Sequence, residues 1–344
     1  MRIRSIEWKE NKVLIVNQLK LPTEIEYIEC TTPERIIKAI KNMEIRGAPA
    51  IGAAAAYAVA LAAIRSRAKT RKEFLEEIFK VAEKLKSTRP TAINLFWAVN
   101  RVLKVAEKAG QSVDKIAVSI VNEAIKIAEE DVEANKLIGK YGARLIEDGD
   151  SILTHCNTGS LATVDYGTAL GIIRAAVKEG KKIHVYVTET RPKLQGARLT
   201  ALELKCENIP VTVICDNVVG YVMQKRLVSK VFVGADRILR TGHVINKIGT
   251  YTIAVLAKYH DIPFYVAASA STFDLKKTLD QVKIEERPPE EVVFYGNRRV
   301  VPEGVNVFNP AFDITPPELI TAIITEKGIL EPPLDRSIVK VLGL

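Results

Sequence analysis

From about residue 5 to residue 30, apolar positions alternate with polar ones, and the alternation is broken at Glu10-Asn11-Lys12. A two-residue period places successive side chains on opposite faces, so this stretch predicts a hairpin and one further strand. From residue 33 the apolar spacing changes to threes and fours. That spacing predicts five helices, over 33–43, 49–67, 71–86, 91–108 and 113–142. The second overlaps Ala48 to Ile64, 17 residues without a charge, mostly Ala and with Pro49 near the start. It falls short of the ~20 apolar residues that span a bilayer, so a buried core helix is expected and no membrane association. The fifth is long enough to connect two domains.

Beyond Gly149 the pattern changes again. Apolar runs of strand length lie at 151–156, 182–188, 211–215, 230–234 and 263–268. Helical stretches near 165–179, 195–206, 217–227, 247–260 and 316–326 alternate with them. Strand, loop and helix in repetition predict a mostly parallel, doubly wound sheet. The expected fold is therefore α/β: a mainly helical N-terminal domain with a small antiparallel sheet (1–142), then a Rossmann-like domain (143–344). The stretch 284–312, rich in Pro, Gly and Asn, reads as ordered loop with short strands.

Composition narrows the classes. With 344 residues, 47% hydrophobic and 26% charged, the chain has material for two cores and no disordered character. The net charge of +9 raises nucleic acid as a partner. Yet Lys and Arg interleave with Glu along stretches such as Arg71 to Lys86, the pattern of a solvated helix face. Zinc-finger spacing, RNP-like aromatics and an Arg-rich tail are all missing, so no nucleic-acid partner is expected. Cys30, Cys156, Cys206 and Cys215 form no C-x-x-C pair and the four His are scattered, so neither a metal site nor a disulfide framework is expected. The first residues lack the apolar core of a secretory signal, which points to the cytoplasm. Abundant Lys and Glu with only five Gln fit a heat-adapted source.

In doubly wound sheets ligands bind beyond the carboxyl ends of the strands. The predicted strands are followed by His155-Cys156-Asn157-Thr158-Gly159-Ser160, Thr188-Glu189-Thr190-Arg191-Pro192, Asp216-Asn217, Gly234-Ala235-Asp236-Arg237 and Ala268-Ser269-Ala270-Ser271-Thr272. All five loops are small, polar or charged, which predicts one functional rim. Asn157, Thr158, Gly159 and Ser160, read as preceding a helix, are a candidate phosphate cradle; capping alone would use the same residues. Arg46-Gly47-Ala48-Pro49 and Arg89-Pro90-Thr91 each set an Arg beside a Pro-initiated helix, which suits an anion as well as an ordinary helix start. Cys156, at a strand end, is either a packed thiol or one activated by neighbouring N–H groups. His155 should point to the opposite face, against a Cys–His dyad. Asp236 is placed for general acid–base work, with capping or pairing to Arg237 as the alternative. Cys206 in a helix and Cys215 in a buried strand are assigned packing only.

Six strings in order resemble one family: Arg46-Gly47-Ala48-Pro49-Ala50-Ile51-Gly52, Thr88-Arg89-Pro90-Thr91-Ala92-Ile93-Asn94-Leu95, Thr154-His155-Cys156-Asn157-Thr158-Gly159, Thr190-Arg191-Pro192 with Gln195-Gly196, Gly234-Ala235-Asp236-Arg237 and Asn246-Lys247-Ile248-Gly249-Thr250. They are similar to the 5-methylthioribose-1-phosphate isomerases of methionine salvage, within the superfamily of the alpha, beta and delta subunits of the initiation-factor exchange complex. The resemblance implies a sugar-phosphate substrate, a homodimer and no metal or organic cofactor. It implies Cys156 and Asp236 as catalytic residues, and substrate contacts from Arg46, Gly47, Ala48, Arg89, Gln195, Asn246 and Lys247. A ribose-1,5-bisphosphate isomerase shares the Cys and Asp, and a non-catalytic translation-factor subunit shares the fold. Both stay open at this point.

Overall fold

The structure, a computed structural model, describes residues 2–90 and 92–343. The chain forms two compact units: Arg2–Lys136 with Gly159–Gly171, and Leu137–Thr158 with the chain from Ile172 onward.

In the first unit, β1 (Ile6–Lys9) and β2 (Lys12–Val16) pair antiparallel, and β3 (Tyr27–Cys30) adds to β2. Glu10 and Asn11 both take positive φ, the backbone that a two-residue hairpin turn requires. Helices follow: α1 (Pro33–Lys41), α2 (Ala48–Arg65), α3 (Arg71–Lys86), α4 (Ile93–Lys108) and α5 (Val113–Gly142), whose residues from Leu137 onward belong to the other unit. Thr32 caps α1, and Thr70 with Glu73 forms a reciprocal capping box on α3. Thr91, within the expected 91–108 helix, lies outside the described residues. Helix α2 meets the length and composition of a membrane span, but most of its side chains are buried in this unit's core among α1, α3 and α4. Gly52 makes the close approach to α4 feasible, since a Cβ there would lie 2.9 Å from the Asn94 carbonyl oxygen.

The segment Gly159–Gly171 joins this unit through buried polar bonds. The Ser160 hydroxyl donates to the Ile3 carbonyl (2.6 Å), the Gln18 amide to Leu161 (2.7 Å), and the Val164 N–H to the Asp131 carboxylate (2.8 Å). A single cut at residue 142, as periodicity suggests, does not describe this excursion. Periodicity is a local signal, whereas these bonds join residues as far as 157 positions apart.

In the second unit the elements are β4 (Ser151–Thr154), α6 (Ala169–Lys178), β5 (His184–Thr188), α7 (Ala201–Cys206), β6 (Val211–Ile214), α8 (Val219–Gln224) and β7 (Lys230–Val233). The first residues of α6 belong to the other unit. Then come β8 (Arg237–Leu239), β9 (Val244–Lys247), α9 (Thr250–Tyr259), β10 (Phe264–Ala267), β11 (Phe273–Asp274), α10 (Glu290–Val293), β12 (Phe294–Tyr295) and β13 (Arg298–Arg299). The chain closes with β14 (Phe312–Thr315), β15 (Ala322–Thr325), β16 (Gly328–Leu330) and α11 (Leu334–Leu342).

The main sheet runs β16-β15-β10-β7-β4-β5-β6, all parallel but for β16. The α/β expectation holds in this topology. From β4 the chain builds outward to β5 and β6, then returns to add β7 on the other side. Strand order therefore reverses between β4 and β7, the place where such sheets open a crevice for ligand. A second sheet, β11-β8-β9-β14, follows the carboxyl end of β7.

Three sequence expectations are corrected here. Residues 316–326 do not form a helix: a short 3-10 turn at Pro317–Leu319 leads into β15. Ala322-Ile323-Ile324-Thr325 is buried at every position, and a fully apolar short run does not distinguish helix from central strand by period. The helix expected over 247–260 begins only at Thr250, because Val244–Lys247 is strand β9 paired with β8 and β14. Cys215 is exposed, not in a buried strand, because β6 is the outer strand of the sheet.

Candidate active site

The residues expected at the rim do follow the carboxyl ends of parallel strands: β4, β5, β6, β7 and β10. Cys156 follows β4 and Asp236 follows β7, neighbouring strands in register at Leu153 and Val231. Both side chains are only half-buried.

Cys156 has φ +65°, uncommon for a residue with a side chain. Both of its backbone polar groups are held by threonines. Its N–H donates to Thr190 Oγ1 (2.9 Å), and its carbonyl accepts from Thr200 Oγ1 (2.6 Å). Thr190 is itself at φ +64°, on a turn whose N–H groups at Thr190 and Arg191 donate to the two oxygens of Asp216 (2.7 Å each). Thr200 ends a π-helical turn, Gly196–Thr200, that opens after Gln195 and runs into α7. Such turns are rare and recur at functional sites. Gln195, at the head of that turn, is buried.

Asp236 bridges the two sheets of this unit, its N–H donating to the Ile245 carbonyl (3.0 Å) on β9. Arg237 pairs with Asp274 at 3.6 Å and also feels the charge of Asp236, so it faces both carboxylates. Asn246 is buried and donates to Thr250 Oγ1 (3.0 Å). Lys247, next on β9, carries its ammonium to the Ala311 carbonyl (2.8 Å) and over the Phe312 ring (4.6 Å). The C-terminal unit thus holds Cys156, Gln195, Asp236, Asn246 and Lys247 among the expected site residues.

Arg46, Gly47, Ala48 and Arg89 belong to the N-terminal unit. Gly47 precedes α2 at φ +95°, and a Cβ there would overlap the Ala162 backbone. This close approach within the unit is open only to glycine. Arg46 and Arg89 are half-buried.

The cradle reading of Asn157-Thr158-Gly159-Ser160 changes. No helix starts there; α6 begins at Ala169, so the helix N-terminus argument does not apply. Asn157 turns its amide to Thr200 Oγ1 (3.2 Å) and Glu203 (2.8 Å), and the Ser160 hydroxyl is bonded to Ile3. These side chains support the loop's shape from inside.

Near the site, buried His155 and half-buried Asp313 have shifted protonation. His155 is held neutral, its pKa pushed down to about 4 because burial removes water from the imidazolium. Asp313 on β14 accepts the Gly249 N–H (2.7 Å), and burial pushes its carboxyl up to about 6 despite that bond and nearby Lys247. A carboxyl raised in the folded state favours folding below its unfolded value, and that contribution is lost as pH rises through about 6. Asp313→Asn is therefore expected to raise Tm relative to the parent by more at pH 8 than at pH 5. Thermal melts across that range check it; a difference independent of pH would count against a raised carboxyl.

Residues 44–332 match the family model described as the initiation factor 2 subunit family. The chain belongs to that family. It is 52% identical over 345 residues to the methylthioribose-1-phosphate isomerase of Thermotoga neapolitana, covering 100% of this chain and 99% of the relative. Among solved structures it is similar to 5-methylthioribose 1-phosphate isomerase from Pyrococcus horikoshii OT3, with TM-score 0.92 and 48% identity over 99% of this chain and 96% of that one. It is also similar to the structure described as translation initiation factor eIF-2B, subunit delta, from A. fulgidus, with TM-score 0.89 and 52% identity over 99% and 100% of the chains.

Of the residues that support the site, Asp216 was legible as a rim residue because it follows a parallel strand, while Thr200 and Asp313 were not. Thr200 had no signal, because only the π turn carries it back to Cys156.

Proposed function

We propose that this protein is an aldose–ketose isomerase that converts 5-methylthioribose 1-phosphate to 5-methylthioribulose 1-phosphate, a step of methionine salvage. One observation carries the reading: a thiol and a carboxylate, Cys156 and Asp236, follow adjacent strands on either side of the order reversal. Relatives at about half identity that bear the isomerase name support it.

The substrate's anomeric oxygen carries the phosphate, so its ring cannot open as a free sugar does. Asp236, as the acid, protonates the ring oxygen while the bond from that oxygen to C1 breaks. It then takes the proton lost from the C2 hydroxyl as the ketone forms. Hydrogen moves from C2 to C1, with Cys156 assisting at those carbons. Protons gained and lost balance, as an isomerisation requires. Lys247 supplies a cation for phosphate, while Gln195 and Asn246 suit sugar hydroxyls. Arg46, Gly47, Ala48 and Arg89 stand as proposed substrate contacts on the family resemblance.

Two related structures of similar identity carry different names, an isomerase and a translation-factor subunit. Turnover therefore decides. Purified protein is expected to form ketose from 5-methylthioribose 1-phosphate. Turnover of ribose 1,5-bisphosphate alone would keep the chemistry and change the substrate. No turnover of either, with stable co-purification of an initiation factor, would replace the reading by a regulatory one.

The protein is further proposed to be cytoplasmic and homodimeric. Tyr251, Val255 and Tyr259 are exposed at four-residue spacing along α9, an apolar stripe that a second copy would cover. A monomeric mass by light scattering would remove the dimer.

A further inference from the structure

The residue before Cys156 is buried, uncharged and hydrogen-bonded at both ring nitrogens. We infer that His155 is a positioning residue, a strut tying the Lys247 segment to the Cys156 turn; the role in turnover rests on the isomerase reading above.

The strut can be followed atom by atom. His155 Nε2 lies 2.8 Å from the Ile248 carbonyl oxygen. A carbonyl only accepts, so Nε2 carries the proton and donates. In a neutral ring Nδ1 is then an acceptor, and it takes the Thr188 hydroxyl at 2.6 Å. Thr188 has then given its one proton to His155, so the Thr190 hydroxyl is the donor in the next link, shared at 3.2 Å between Thr188 Oγ1 and the Thr188 carbonyl; either way it is tied to Thr188, and Thr190 Oγ1 accepts the Cys156 N–H at 2.9 Å. The chain of bonds therefore runs from the carbonyl beside Lys247 to the amide of Cys156. Burial fits the neutral tautomer, because a charged ring would need solvation this interior does not provide.

Packing fixes the ring as well. Gly249 lies against it, and a Cβ at that position would be 3.1 Å from His155 Cε1. Asp313 accepts the Gly249 N–H, so the loop that receives the strut is itself anchored. Beyond Cys156, Asn157 is tied to Thr200 and to Glu203, whose carboxylate pairs with buried Arg174 (2.8 Å). Cys156 thus has both chain neighbours anchored in the interior. That bracing sustains its positive φ, a backbone cost that such surroundings must over-determine. With Nε2 given to the Ile248 carbonyl and Nδ1 to the Thr188 hydroxyl, His155 acts through geometry.

The test uses the full chain with Thr190→Val, His155→Phe, His155→Gln and the double variant Thr190→Val/His155→Phe. Thr190→Val breaks the strut at the Cys156 end, so kcat should fall about 10-fold or more with KM little changed. His155→Phe breaks both ends, so kcat should fall by a similar factor and KM should rise, because Ile248 follows Lys247. His155→Gln can again donate to the Ile248 carbonyl, and should recover KM but not kcat. The double variant should have a kcat no lower than the worse single variant, as expected of residues acting through one network. Independent, multiplying losses in kcat, or folded variants with parental kcat and KM, would overturn the strut.

Iodoacetamide alkylation of Cys156, followed by peptide mapping, gives a readout that needs no substrate. The variants should alter its rate at Cys156 and leave the rate at exposed Cys215 unchanged. Parental protein that turns over no sugar phosphate would defeat the isomerase reading, while altered alkylation would still support the strut. Unchanged alkylation at Cys156 in every folded variant would overturn it. Should His155→Phe fail to fold, Thr190→Val and His155→Gln carry the same test.

Discussion

Asp236→Asn and Cys156→Ser are each expected to lower kcat for 5-methylthioribose 1-phosphate by about 10²–10⁴, the usual cost of losing a general acid–base group. Asn keeps the size of Asp and cannot exchange a proton at neutral pH. Ser keeps a polar atom where the thiol stood, but its hydroxyl ionises far less readily. Neither change should unfold the protein. Asp236 is held in place by its own N–H bond to Ile245, and Cys156 by its backbone bonds to Thr190 and Thr200. Steady-state kinetics with thermal melts on the same preparations separate chemistry from stability. If both variants stay within about tenfold of the parent in kcat, the assignment is wrong. Cys215→Ser, at an exposed thiol beyond the outer strand β6, is the control expected to change nothing.

Gly196→Ala carries the second large effect, and its origin is steric. A Cβ at Gly196 would fall inside any van der Waals distance of the Thr188 carbonyl oxygen, with the Val187 side chain also close, at 3.0 Å. Backbone at the end of β5 cannot yield as a side-chain tip can. The π turn Gly196–Thr200 would have to move away from the strand, at a cost of about 1–3 kcal/mol. The turn carries Gln195 at its head and Thr200 at its foot, so a shift would disturb a proposed substrate contact and the carbonyl of Cys156 together. Lower Tm with kcat reduced about 10-fold or more is expected. Gly180→Ala, at an open position of positive φ on the turn after α6, provides the comparison: strained, but clear of the site. A Gly196→Ala protein with parental Tm and kcat would show that the close approach has slack.

Long periodic segments were readable because their signal is local. The hairpin at Glu10-Asn11, the largely apolar helix Ala48–Arg65 and the parallel strands that lead to Cys156 and Asp236 each follow from spacing within a few turns of chain. The 316–326 stretch was misread for the same reason. Ala-Ile-Ile-Thr suits a buried strand or a buried helix, and the choice was made by β10 lying alongside. The loop at 157–160 shows the complementary limit. Its residue types permit a phosphate cradle, but Asn157 and Ser160 found partners at Glu203 and Ile3, far away in sequence.

The sequence by itself determined that a thiol and a carboxylate stand at strand ends, because strand length and the residues that follow are written in order along the chain. Tertiary structure alone decided that β4 and β7 are neighbours and that strand order reverses between them. It also decided that Cys156 is held left-handed by Thr190 and Thr200, and that His155 spans from Ile248 to Thr188. Those facts depend on which distant segments pack together, and packing is fixed by the total of burial and hydrogen bonding over the unit, which no window of sequence contains.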